Sequence, residues 1–212
     1  MNKDLFQKVK LRAEWRARRW AVPLVIGACC FALELGGDAG RAWGRYDRAA
    51  LEAGEVWRVV TAHLVHLGWG HLWPNLLALL LICALLEEFL SSVEWLFTCL
   101  AAAVAIAIGL YVFDPGVQWY VGLSGVLHGL VACGAVRMLQ EERLGIGAAL
   151  ALGVAAKLTW EATRGPIPFT EQSAGGPVIV AAHLYGAIAG TLTGLACGIV
   201  RRRFTPIIAR RS

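Results

Sequence analysis

Apolar residues come in six long runs, separated by segments that hold most of the charges, prolines and turn residues. The runs cover residues 20–35, 71–86, 93–113, 124–139, 146–160 and 178–200. None alternates with the period of two that marks a half-buried strand, and each is long enough for several helical turns. Several approach the 20 or so apolar residues that a bilayer-crossing helix needs. The pattern predicts an all-α membrane protein built as a bundle of six transmembrane helices. A basic segment, 1–19, precedes the membrane domain 20–200, and a basic tail, 201–212, follows it. The first run follows basic residues, as a signal peptide would, but no small-residue cleavage site follows it. It reads as a retained helix.

Composition agrees with this reading. Of 212 residues, 58% are hydrophobic and 17% charged, against about 45–50% and 25% in ordinary soluble domains. Disorder, a solvated coiled coil and a small disulfide scaffold are thereby excluded. The net charge of +5 is concentrated at the ends. Lys3, Lys8, Lys10, Arg12, Arg16, Arg18 and Arg19 lie at one, and Arg201, Arg202, Arg203, Arg210 and Arg211 at the other. No nucleic-acid-reading motif accompanies them, so no nucleic-acid partner is expected. Basic flanks stay cytoplasmic, which places both termini in the cytoplasm and makes the number of spans even. Segment 36–70 is then an outer loop, with Trp43, Trp57 and Trp69 fitting it to the membrane interface. Segments 114–122 and 165–177 lie on the same side. Trp20, Trp73, Trp119 and Trp160 fit an interfacial belt. The cysteines, Cys29, Cys30, Cys83, Cys99, Cys133 and Cys197, sit in apolar runs without metal-ligand spacing and read as small buried residues.

Polar groups inside an apolar span are costly and therefore functional candidates. His71, Ser124 and His183 stand at the starts of the second, fourth and sixth runs. Counted from the cytoplasmic ends at about 1.5 Å per residue, all three lie about 22–27 Å up, at one level. Span six carries Ala182, Gly186, Gly190, Gly194 and Gly198 at steps of four, and span four carries Gly125, Gly129 and Cys133. Such stripes let helix backbones approach closely. If the two stripes meet, Ser124 and His183 come within hydrogen-bond reach, and a histidine base can activate a serine hydroxyl. The alternative is that the glycines only pack helices, and that each polar side chain bonds its own backbone. Asn75 and His71 share one helix face and, with the Ser124 N–H, can stabilise an oxyanion. Pro74 lies between them, in the first turn of that helix.

These residues resemble the rhomboid intramembrane serine proteases. The resemblance rests on Trp57-Arg58, then His66, then His71 to Asn75. It rests also on Gly122-Leu123-Ser124-Gly125, matching a GxSG motif, and on Ala182-His183 with Gly186 and Gly190, matching AHxxGxxxG. It covers about residues 54–200 and three motifs in order. It implies a Ser124 nucleophile, a His183 base, His71 and Asn75 as oxyanion donors, and a turn shaped by Gly122. It implies no cofactor and no metal. Glu87 would anchor the loop containing Arg58. The finer pattern, with the small size, His128, and Lys157 to Glu161 on span five, resembles the rhombosortase branch. That implies a bacterial inner-membrane enzyme. Its partners, besides the lipid bilayer, would be single-span proteins ending in a Gly-Gly motif, a helix and a basic tail. His128 stands where many rhomboids place an aromatic residue beneath the base, and takes over that support.

Lys157 and Glu161, four apart, read as a neutralised pair tying two helices, or as a subsite for polar substrate groups. His66 is expected to stabilise its loop by hydrogen bonds, while His63 looks incidental. Metal binding by His63, His66 and His71 finds no completing carboxylate or thiolate. Two other functions fit the composition. One is a non-cleaving rhomboid-like binder of transmembrane segments. The other is a small transporter, which would need polar residues along its whole path.

Overall fold

The computed structural model describes residues 3–204. Arg210 and Arg211 of the predicted tail lie outside the described residues, as do the side chains of Lys3, Lys8, Lys10, Arg12 and Arg202. The chain runs α1 (Lys3–Leu35), α2 (Gly37–Gly44), β1 (Tyr46–Asp47), α3 (Arg48–Glu52), α4 (Arg58–Thr61), α5 (Trp69–Leu86) and α6 (Ser92–Phe113). It continues with β2 (Trp119–Tyr120), α7 (Ser124–Gln140), α8 (Leu144–Arg164), α9 (Thr170–Ala174) and α10 (Val180–Phe204).

Every predicted apolar run is a helix, with edges moved by a few residues. The exception is the first, which joins the basic segment before it into one helix beginning at Lys3. Among the described residues, four helices are long and apolar enough to cross a membrane: Trp69–Leu86, Ser92–Phe113, Leu144–Arg164 and Val180–Arg201. The other two runs differ for physical reasons. The apolar part of α1 is bracketed by Arg18, Arg19 and Glu34, and α7 has 17 residues with Arg137 buried in its last turn.

The core lies around α7. It packs most extensively against α10, then α8 and α6, while α1 lies against α5 and α6. Gly125, Gly129 and Cys133 face Ala182, Gly186, Gly190 and Gly194. A β-carbon on Gly125 would stand 2.9 Å from the Ala182 oxygen, and one on Gly129 2.9 Å from that of Gly186. The two small-residue stripes therefore do meet, backbone to backbone. By contrast α8 fully buries only Gly147 and Glu161, and its other apolar residues are half-buried or exposed.

Helix ends follow local chemistry. A capping box of Ser91 and Glu94 starts α6, and the Asp47 side chain caps α3. Arg48 donates to the Leu110 and Tyr111 carbonyls at the other end of α6. The segment between α1 and α5 is largely short helices. A two-residue antiparallel ribbon, Tyr46 opposite Tyr120 and Asp47 opposite Trp119, ties it to the loop before α7.

Two expectations are corrected. Pro74 is the sixth residue of α5, because that helix begins at Trp69. It lies beyond the first turn and leaves the Gly70 carbonyl without its helical donor. Glu87 does not hold the Arg58 loop. It lies at the far end of α5 from His71, where it takes hydrogen bonds from Arg16 and from the Trp20 indole at 2.7 Å. Arg58 instead donates to the Ala42 and Arg45 carbonyls, both at 2.8 Å, and to Glu55. His66 helps its loop through the main chain, its carbonyl accepting from Arg41 Nε at 2.7 Å. The His66 ring packs edge-on to His71, and His63 is buried edge-on to Tyr120.

Candidate active site

Ser124 opens α7 directly after a turn that only glycine makes comfortably. Gly122 has φ +119°, and a β-carbon there would stand 2.7 Å from His71 Cε1. The turn is pinned twice: the Gly122 N–H donates to Ala62 O at 2.9 Å, and the Tyr120 hydroxyl donates to Gly122 O at 2.7 Å. The loop leading into α5 and the loop leading into α7 are thus one unit, with His71 against the serine turn.

His183 lies in the first turn of α10 and is 4% exposed. Its Nε2 is 2.9 Å from Ser124 Oγ. Its Nδ1 is 2.9 Å from Glu161 Oε2, and the other oxygen of Glu161 pairs with Lys157. The His128 ring stacks on that of His183, with centroids 4.2 Å apart and planes 19° apart. Its Nδ1–H donates to the Ser124 carbonyl at 2.7 Å. On α5, the Leu67 N–H donates to His71 Nδ1 at 3.3 Å, so the remaining ring proton sits on Nε2. Asn75 uses one amide N–H on the His71 carbonyl and keeps the other free to donate.

A cavity of about 480 Å³ joins these groups. Its lining comes from α5, α7 and α8, and α9 contributes Thr170, Ser173 and Ala174. Its volume is that of a ligand site. Ser124, His183, His71, Asn75, His128, Lys157 and Glu161 all line it, and Gly122 lies beneath His71. The contact of Glu161 with His183 is what sequence reasoning missed. Its one signal was a carboxylate in an apolar span, four residues after a lysine. One donor atom each from His128, Glu161 and His183 lies within 4.8 Å of the others, a spacing that could suit a metal ion. Here Lys157 already engages the carboxylate, and the parallel stacking of the two rings keeps their lone pairs from converging.

Outside the spans, burial pushes the His63 imidazole down to about 4 and the His66 imidazole down to about 3. Both loop histidines are neutral packing groups beside the site.

Residues 53–199 match the Rhomboid domain. The chain belongs to the rhomboid family. Two relatives from Bacillus subtilis (strain 168) are similar to it. One carries the name "Putative rhomboid protease YdcA" and is 35% identical over 77 residues, 36% of this chain and 39% of that protein. The other, Rhomboid protease GluP, is 32% identical over 104 residues, 47% of this chain and 20% of that protein. The match to this rhomboid thus spans well under half the length of either. Every residue of the candidate site falls inside the Rhomboid domain, whereas α1 precedes it.

Proposed function

We propose that this rhomboid is an intramembrane serine endopeptidase that cuts transmembrane substrates near their outer ends. The carrying observation is the 2.9 Å contact between Ser124 Oγ and His183 Nε2 at the wall of a cavity. In this reading His183 removes the Ser124 proton as Oγ attacks the scissile carbonyl carbon. The oxyanion is held by the Ser124 N–H, by His71 Nε2–H and by the free N–H of Asn75. Collapse breaks the C–N bond, and the amine leaves with the proton that His183 held. A water then gives its proton to His183, attacks the acyl ester and releases the carboxylic acid with Ser124 restored.

Six helices cross the membrane in this proposal, with both termini in the cytoplasm of a bacterial inner membrane. The exposed Trp43–Trp57 stack lies in the outer interface. The substrates are single-span proteins with a Gly-Gly, helix and basic-tail ending, as the rhombosortase resemblance implies. The reading is tested by a fluorophosphonate label on the purified protein. Labelling of the native chain and its loss in Ser124→Ala support it. Equal absence from both supports the non-cleaving binder. Comparison of membrane-protein termini in cells carrying native or Ser124→Ala protein then identifies the substrates. Uncut proteins with Gly-Gly tails accumulating in the mutant support the rhombosortase branch.

A further inference from the structure

A serine–histidine pair leaves one requirement open. Imidazole can carry its proton on either nitrogen, and only the form with a bare Nε2 can accept the Ser124 proton. The 2.9 Å contact with Ser124 does not choose between the forms. The stacked His128 ring does not choose either, because it touches His183 by its face and spends its Nδ1–H on the Ser124 carbonyl.

The partner that does choose is Glu161. Its Oε2 stands 2.9 Å from His183 Nδ1, and both side chains are buried, at 4% and 5% exposure. A carboxylate only accepts, so Nδ1 must donate, and Nε2 is left as the acceptor. Lys157 Nζ lies 3.5 Å from the same Nδ1, but an ammonium is a donor and cannot take that proton. Its place is on the second oxygen of Glu161, where it lets a carboxylate keep its charge in an apolar helix. Building on the Ser124–His183 proposal, we infer that Glu161 is a positioning residue. It holds His183 in the Nδ1–H form and stabilises the imidazolium that appears when Ser124 is deprotonated. The site then has three members from three helices, α7, α10 and α8. No bond to substrate forms at Glu161 and no proton leaves His183 toward it. Its work is orientation and charge.

The geometry also accounts for the full burial of Glu161 on a helix whose apolar side chains are only half-buried or exposed. A pair that served only to neutralise its own charges would be satisfied by Lys157 with Glu161 alone, both on α8. Here the carboxylate reaches across to α10.

The test uses the purified full-length chain and a fluorophosphonate probe, with the maximal labelling rate and the probe's half-saturation measured separately. In Glu161→Gln the maximal rate falls about 10²–10⁴-fold, because the amide can donate to Nδ1 and favour the wrong tautomer. Half-saturation stays within about twofold of native, as expected of a group that acts only in the transition state. Glu161→Asp recovers part of the rate. Ring-nitrogen NMR of labelled His183 shows Nδ1–H in the native chain and a loss of that preference in Glu161→Gln. Should Glu161→Gln fail to fold, the pair Glu161→Gln with Lys157→Met removes both charges and gives the same readouts. Native-like labelling by either Gln variant overturns the inference while leaving the serine protease standing. A loss of rate with no change of tautomer overturns it too, since that is the mark of a merely structural role. Absence of labelling in the native chain overturns the Ser124–His183 reading itself, and the role of Glu161 with it.

Discussion

The carbonyl oxygen of Gly125 on α7 occupies the space that a β-carbon on Gly186 of α10 would need. Gly186 stands one turn after His183, and Gly125 directly follows Ser124, so this close approach sets the distance between the two reacting groups. Gly190 meets Gly129 in the same way one turn further on. A methyl group at either position must push the helices apart. Gly186→Ala is expected to lose about 1–3 kcal/mol of stability by overpacking and to lose Ser124 labelling even at temperatures where it stays folded. Gly145→Ala, where nothing lies within 4 Å, is expected to keep its activity and to melt at the same temperature or slightly higher. Thermal melting and labelling measured together on both variants check this.

His71 and Gly122 form a second such couple. The glycine lets the serine turn lie against the imidazole, and the Leu67 N–H on Nδ1 leaves the ring proton on Nε2, the ring nitrogen nearer Gly122. Replacing His71 by Ala is expected to slow cleavage about 10²–10³-fold with little change in substrate half-saturation, as loss of an oxyanion donor does. Gly122→Ala strains a positive φ and strikes the same ring, so it is expected to lower both activity and stability. Steady-state cleavage of a model transmembrane substrate separates the two effects.

Residue counting was enough to put His71, Ser124 and His183 at one level, because helical rise is constant and all three stand near helix starts. The Gly and Ala steps of four were enough to pair α7 with α10. Neither argument says where α8 lies around the bundle. The apolar face of α8 is nearly uniform, so nothing in its pattern turns Glu161 toward His183 rather than outward. Glu87 shows the same limit. Its partners Arg16 and Trp20 lie 71 and 67 positions away, and hydropathy carries no sign of which end of which helix a carboxylate meets. The Tyr46–Tyr120 ribbon is too short to show an alternation. Pro74 sits two positions deeper in α5 than the apolar run implies, because Trp69 and Gly70 are helical although the apolar run begins only after them.

The anchorage of Glu87 separates stability from catalysis. Glu87 and His71 are 16 residues apart on one helix, about 24 Å at the helical rise. Glu87→Ala releases Arg16 and Trp20 from α5 and is expected to lower the melting temperature by about 2–4 °C, with Ser124 labelling within about twofold of native. Arg58→Ala removes bonds to Ala42 and Arg45 in the loop that leads to His71, and is expected to reduce labelling as well as stability. The opposite ranking would show that the loop hangs on Glu87 after all.

Acid sensitivity follows from the two buried loop histidines. In the folded chain His63 and His66 stay neutral down to about 4 and about 3, against 6.5 for a free imidazole. Between those values the unfolded chain binds protons that the folded chain does not, so stability rises with pH there and falls as pH drops below about 6.5. Each histidine contributes a slope of about 1.4 kcal/mol per pH unit in that window. The native protein is therefore expected to lose melting temperature steadily from pH 6.5 to 4.5, with little change between 7 and 8. His66→Asn removes one titrating group from the folded interior, so its melting temperature is expected to fall less steeply over the same range, even if it starts lower at pH 8. Melting curves at half-unit steps of pH check the slope. Parallel curves for native and His66→Asn would show that His66 is not the group whose protonation unfolds the loop beneath the serine turn.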